Sequence, residues 1–166
     1  MPEEIILVDK NDQEIGIGEK MKVHQDGALH RAFSIFVFNS QNKMLLQKRA
    51  KVKYHCGGLW TNTCCSHPRK GELLEEATHR RLQEEMGFDC ELKEIDNFIY
   101  KAEFDNGLTE HEYDHIFTGK FDGKPNLNSK EADGYRWISL EELKKEIKKN
   151  PEDFTVWFKI AMEKIF

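Results

Sequence analysis

The stretch Glu72–Met86 constrains the fold of this chain more than any other. Leu74, Ala77, Thr78, Leu82 and Met86 recur at helical spacing and form one apolar stripe. Gly71 precedes the stretch, and Glu72, Glu75 and Glu76 load its first turns, where a helix dipole favours carboxylates. Gly87 stands where a closing glycine turns left-handed. A helix with a single apolar stripe must lie on another layer, and the flanking sequence supplies strands. Period-two and β-branched patterns predict strands at Ile5–Val8, Glu14–Gly18, Phe33–Phe38 and Met44–Gln47, with more at Glu91–Ile95, Phe98–Phe104, Tyr113–Phe121 and Tyr135–Ile138. Between the second and third of these the chain reads as a polar loop carrying His24, Gly27 and His30. Ser139-Leu140-Glu141-Glu142 has capping-box form and opens a second helix, which Asn150-Pro151 stops. A last helix is predicted from about Phe154 to Ile165. Strands around one strong middle helix, with more helix at the end, predict an α+β sandwich rather than a doubly wound sheet.

The 166 residues fit one domain, 1–166, large enough to bury roughly two thirds of its unfolded surface. A net charge of -5 without a basic stripe argues against a nucleic-acid partner. No apolar run is long enough for a membrane-spanning helix. Met1-Pro2-Glu3-Glu4 lacks the basic flank of a signal peptide, so the cytoplasm is the expected compartment. There Cys56, Cys64, Cys65 and Cys90 are expected as thiols, and a bridge between adjacent Cys64 and Cys65 would be strained.

Three clusters carry candidate chemistry. In Arg80-Arg81-Leu82-Gln83-Glu84-Glu85-Met86-Gly87, helical spacing sets Arg80 beside Glu84 and Arg81 beside Glu85. That pattern fits a solvated charged face, and equally a carboxylate holding Mg²⁺ against phosphate oxygens. In Trp60-Thr61-Asn62-Thr63-Cys64-Cys65-Ser66-His67-Pro68, an extended chain puts Cys65 and His67 on one side and Cys64 on the other. Two small buried cysteines and an incidental histidine are the bland alternative; a zinc knuckle is disfavoured because no Cys-x-x-Cys pair occurs. The third cluster is Tyr100 with Glu110-His111-Glu112. In a strand Glu110 and Glu112 share a face, while His111 and His115 take the other. This fits a wet sheet surface. Joined by His24, His30 and His67, the two carboxylates would instead fill most of an octahedral site suited to Mg²⁺, Mn²⁺ or Zn²⁺.

Ser66, Glu72, Arg80, Arg81, Leu82, Glu84, Glu85, Gly87 and Phe88 resemble the Nudix box, in which Gly, five residues, Glu and seven residues precede Arg-Glu-apolar-any-Glu-Glu-any-Gly-apolar. Ser66 replaces the first Gly. Arg81 replaces a Glu that helps hold the metal of Nudix hydrolases, and its positive charge argues against pyrophosphate hydrolysis, the enzyme alternative. A catalytically inactive Nudix-like module is the non-enzyme alternative. Taken together, Lys20-Met21-Lys22-Val23-His24, Leu29-His30-Arg31-Ala32-Phe33, the Trp60-to-Pro68 string, the degenerate box, Phe98-Ile99-Tyr100 and Glu110-His111-Glu112 resemble the type I isopentenyl diphosphate isomerases, a branch of the Nudix superfamily. The resemblance covers nearly the whole chain and ends near Trp157.

It implies a Nudix-like α/β/α sandwich with a mixed sheet and additional N-terminal strands, its core spanning about 30–162. It implies isoprenoid biosynthesis as the setting and a 1,3-proton shift between isopentenyl and dimethylallyl diphosphate as the reaction. Glu112, polarised by metal and by the Tyr100 hydroxyl, would deliver a proton, and Cys65 as thiolate would remove one; the reverse reaction swaps the roles. Trp157, with Trp60 as a further candidate, would stabilise a transient cation. Lys20, Arg49, Lys53, Ser66 and Arg81 would contact the diphosphate. His24, His30, His67, Glu110 and Glu112 would hold one divalent metal, and Glu85 with the Cys65 carbonyl a substrate-linked Mg²⁺. The implied partner is a small isoprenyl diphosphate, with no nucleic acid or membrane, and the implied state a monomer or homodimer.

Overall fold

The computed structural model describes residues 2–53 and 56–166; Met1, Tyr54 and His55 lie outside the described residues. The elements are β1 (Glu4–Val8), β2 (Glu14–Glu19), α1 (Lys20–Asp26), β3 (His30–Phe38), β4 (Lys43–Arg49), β5 (Trp60–Thr61), β6 (Cys64–Ser66), α2 (Leu74–Met86), β7 (Leu92–Glu103), β8 (Thr109–Lys120), β9 (Ala132–Ser139), α3 (Leu140–Lys149) and α4 (Val156–Ile165). A short 3-10 turn, Pro151–Asp153, separates the last two helices where Asn150-Pro151 was expected to stop α3.

β3 is the hub of a mixed sheet. It runs antiparallel to β1, β4 and β6, and parallel to β8. β7 pairs with β8, β9 with β4, and β2 with β1. Both faces of β3 are covered, which explains why Ile35, Phe36, Val37 and Phe38 are apolar in succession rather than alternating. Phe33, Ile35 and Val37 pack with Leu45, Cys64 and the α2 residues Ala77, Leu82 and Met86. Phe36 points the other way and joins Met44, Leu46, Leu143 of α3, and Trp157, Phe158, Ala161 and Met162 of α4. The sheet therefore lies between α2 and the α3/α4 pair, the expected sandwich. Each fully buried Phe or Leu contributes about 1.5–3 kcal/mol.

Several boundaries differ from expectation. The stretch expected as a polar loop contains α1, whose first turn is capped by Glu19 accepting from Met21 N and Lys22 N at 3.0 Å each. Glutamate is outside the usual set of capping residues, so the sequence pattern there is weak. The closing signal was present: Gly27 has φ 70° and donates to Val23 O. β3 starts at His30 and β8 at Thr109, so His30, Glu110 and Glu112 all sit on strands. The two strands expected after α2 form one, β7, with a register shift between Glu94 and Asp96. α2 starts at Leu74, and Glu72 stays ahead of it, 2.6 Å from Arg80 Nε. Ser139 caps α3 as predicted, accepting from Glu142 N, and Thr155 caps α4, accepting from Phe158 N.

Candidate active site

Strand register collects the site on the α3/α4 face of the sheet. His30 pairs with Glu112 across β3 and β8, Ser34 with Cys65 across β3 and β6, and Tyr100 with Glu112 across β7 and β8. Directly paired residues share a face, so one surface presents all five side chains. β6 and β8 flank β3 on opposite sides, which places Cys65 and Glu112 on opposite sides of that strand.

His24 from α1, His30 from β3, His67 just beyond β6, and Glu110 and Glu112 from β8 converge until one ligand atom of each lies within 4.8 Å of every other. All five are buried. The His24 and His30 Nδ1 atoms lie 2.7 Å from Lys20 O and 2.9 Å from Ala28 O, so the Nδ1–H groups donate to those carbonyls and leave Nε2 as the ligand atom. His30 Nε2 is 3.4 Å and His67 Nε2 3.0 Å from Glu112 Oε2; His24 Nε2 is 3.8 Å from Glu110 Oε2. Burial lowers the pKa of His24, and lowers that of His67 further, where nearby His30, Lys20 and His24 add to the effect. For His30 burial works the same way, but the Glu112 carboxylate wins and raises it. Burial also opposes ionisation of Glu112, yet hydrogen bonds with Glu110, His30 and Tyr100 hold its carboxyl down to about 2. Three buried imidazoles and two buried carboxylates in reach of one another form a nitrogen/oxygen donor set that fits a divalent ion.

Beside this cluster opens a cavity lined by Lys20, Arg49, Lys53, Cys65, Ser66, His67, Arg81, Tyr100, Glu110, Glu112 and Trp157. Every one of them was singled out in the sequence; His24, His30 and Glu85 stand behind the lining. Four cations at one cavity form a seat for a polyanion. Arg81 is held by Glu85 Oε2 at 2.8 Å and Ser66 Oγ at 3.0 Å. Arg80 pairs with Glu84 at 2.7 Å, as its spacing predicts. The Arg49 guanidinium lies 5.1 Å from the Trp157 ring centre, so Trp157 already holds one cation at the cavity. Trp60 is a correction to the cation-stabilising pair: it is not among the lining residues, and its ring faces Arg136 at 4.8 Å and Lys48 at 5.9 Å.

The two thiols separate as the two-residue period requires. Cys64 is buried in the α2 core and Cys65 lines the cavity; the cysteines are free. Burial pushes the Cys65 thiol up, with Asp114 adding to the effect. The Tyr100 hydroxyl donates to Glu112 Oε1 at 2.7 Å. The arrangement sets two proton-exchanging side chains, Cys65 and Glu112, on either side of β3 in one polar, cation-rimmed cavity.

Sequence reasoning missed Glu131 and Asp114. The Glu131 carboxylate lies 2.6 Å from Lys53 Nζ and 3.3 Å from Arg81 Nη2, tying two cavity cations together. Asp114 accepts from Ser34 Oγ at 2.8 and 3.0 Å beneath Cys65. For Asp114 the signal was available, since it continues the Glu110/Glu112 alternation; Glu131 sits in a loop with no periodicity to read. His115, expected on the opposite face, bridges Asp12 and Glu94 at 2.9 Å each, away from the cavity.

Residues 28–158 match the NUDIX domain family. The chain is 56% identical over 159 residues to a protein of Photorhabdus laumondii named isopentenyl-diphosphate Delta-isomerase 2, covering 96% of this chain and 90% of that one. It is 51% identical over 165 residues to the Aromatoleum aromaticum protein of the same name, covering 99% and 87%. Among solved structures, a Deinococcus radiodurans protein superposes with a TM-score of 0.80 at 19% identity over 99% of this chain and 100% of its own. A MutT protein from Methanosarcina mazei superposes with a TM-score of 0.66 at 20% identity, covering 81% of this chain and 91% of that one.

Proposed function

This chain belongs to the isopentenyl-diphosphate Delta-isomerases, within the NUDIX domain family, and from that premise we propose how its cavity interconverts isopentenyl and dimethylallyl diphosphate. The observation that carries the assignment is the placement of Cys65 and Glu112 in one cavity, on strands flanking opposite sides of β3. A 1,3-proton shift needs a proton donor at one carbon and an acceptor at another. Glu112, hydrogen-bonded by Tyr100, gives the proton to the terminal alkene carbon. Cys65 as thiolate takes one from the allylic carbon, and the double bond moves between them. In the reverse direction the roles exchange, so the pair shares one proton over a full cycle; that direction starts from the Cys65 thiol and the Glu112 carboxylate, the state that burial of Cys65 and the hydrogen bonds to Glu112 favour.

The diphosphate sits among Lys20, Arg49, Lys53 and Arg81, with Ser66 at its edge; Arg49 can grip two oxygens at once. A tertiary cation in transit is quenched by water, so the pocket must be dry. Trp157 and Tyr100, both buried, line it. His24, His30, His67, Glu110 and Glu112 would hold Mg²⁺, Mn²⁺ or Zn²⁺, and Glu85 with the Cys65 carbonyl a second Mg²⁺ that arrives with the diphosphate. When bound, the first ion supplies positive charge that polarises the Glu112 carboxyl. Among the described residues no helix is long and apolar enough to cross a membrane.

Incubation with isopentenyl diphosphate and Mg²⁺ in deuterated water tests the reading. Dimethylallyl diphosphate carrying deuterium supports it. Release of phosphate or pyrophosphate without isomer formation would falsify it.

A further inference from the structure

Asn62 lies in the turn between β5 and β6 and is completely buried. Its side-chain nitrogen donates to Ile35 O at 3.0 Å and Cys64 O at 3.1 Å. Two carbonyls on that side leave no freedom to flip the carboxamide, so its oxygen must point the other way. There it meets Cys65 Sγ at 2.9 Å and Thr61 Oγ1 at 2.9 Å. Thr61 Oγ1 lies 2.9 Å from Thr155 Oγ1, and Thr155 Oγ1 accepts from Phe158 N at 3.4 Å as the cap of α4.

The donors can be assigned along the chain. Phe158 N–H donates to Thr155, the Thr155 hydroxyl to Thr61, the Thr61 hydroxyl to the Asn62 oxygen, and the Cys65 S–H to that same oxygen. Each group uses its donor once, and the Thr61 and Cys65 donors meet on one atom; Ser34 Oγ, 3.5 Å from Cys65 Sγ, is the thiol's more distant neighbour. Thr61, Asn62 and Thr155 are buried, so solvent cannot substitute for a broken link. α4 also carries Trp157 at the cavity wall.

We propose that Asn62 is a positioning residue for the isomerisation: its carboxamide oxygen sets the rotamer of the Cys65 thiol and, through Thr61 and Thr155, sets that thiol against the helix carrying Trp157. This rests on the reading that Cys65 exchanges protons with the substrate. Among the described residues the Asn62 side chain bonds Ile35, Cys64, Cys65 and Thr61, none of them a cation of the diphosphate seat or a side chain of the metal cluster, so its loss should act on turnover. Leucine or alanine there removes the acceptor, and aspartate removes the two N–H groups that fix the oxygen.

The test measures kcat and KM for isopentenyl diphosphate, bound metal and melting temperature in Asn62→Ala, Thr155→Val, Thr155→Ser and Cys65→Ala. Asn62→Ala is expected to lower kcat on the order of 10- to 100-fold, as misplacing a reacting group does, with KM and metal content unchanged. Thr155→Val cuts the chain at its far end without touching Cys65; it should lower kcat several-fold, and Thr155→Ser should restore it. If Asn62→Ala does not fold, the Thr155 pair decides. Wild-type kcat in folded Asn62→Ala, or in Thr155→Val, overturns the proposal, as does a loss of turnover that merely follows metal loss or a raised KM. Wild-type kcat in Cys65→Ala is a different failure: it removes the assignment of Cys65, and the positioning role goes with it.

Discussion

Tyr100 and Glu112 face each other across β7 and β8, and the tyrosine hydroxyl donates to Glu112 Oε1 at 2.7 Å. The other oxygen of the same carboxylate faces His67 and His30. One oxygen is thus turned to the cavity group and the other to the imidazoles. Tyr100→Phe removes one hydrogen bond to a charged group, a loss of about 1.5–3 kcal/mol. If that bond is made in the transition state, kcat falls roughly 10- to 150-fold with metal content intact. Steady-state kinetics beside elemental analysis checks this; a loss of metal instead would mean that Tyr100 only supports the cluster.

Cys65→Ala is expected to abolish isomerisation, while Cys64→Ala keeps most of it. Cys64 lies under α2 in the apolar core, and its truncation should cost stability rather than turnover. Activity and melting curves of the two variants separate the outcomes. Equal activity in both would show that neither thiol does the chemistry.

His67→Ala should lower metal content and activity together. His67 Nε2 sits 3.0 Å from Glu112, between the cluster and the cavity, so its removal opens the site from the substrate side. Activity that survives complete chelation would remove the divalent ion from the mechanism.

Arg81→Glu is expected to raise KM for isopentenyl diphosphate and to create no nucleotide hydrolysis. The substitution breaks the pairs with Glu85 and Glu131 and sets a new carboxylate beside them and Glu84. Like charges at that spacing repel, and the anion seat loses a cation. An assay against a panel of nucleoside diphosphate compounds decides; efficient turnover by the wild type would overturn the assignment.

The Asp114 carboxyl is pushed well above 3.8, first by burial and then by Glu112. A raised carboxyl pKa means that the folded state keeps a proton which the unfolded chain releases. Its contribution to stability is therefore complete below about pH 3.8 and is lost as pH rises toward the folded value. In metal-free protein, Asp114→Asn should gain melting temperature relative to wild type at pH 8, and the gain should shrink as pH falls toward 4. A difference that is the same at both pH values would show that Asp114 is ionised in the fold.

Much of the site was readable because its residues ride on short periods. Two-residue alternation separated Cys65 from Cys64 and aligned Glu110 with Glu112, and helical spacing paired Arg81 with Glu85. The glutamate-capped α1 was read as a loop because its start signal was atypical, although Gly27 marked its end.

Within the strands and helices that it marks, the sequence by itself determined which face each side chain takes, because alternation and helical pitch are properties of neighbouring residues. Only the tertiary structure decided which faces meet. Ser34 reaches Asp114 across 80 positions, and Lys53 reaches Glu131 across 78. Asn62 reaches Thr155 through Thr61, which spans 94 positions. No local pattern encodes such pairs, because they follow from strand register and from where α2 and α4 close on the sheet. Register is set by the whole buried surface at once, and so Asn62 and Glu131 acquire partners that their own neighbourhoods never announce.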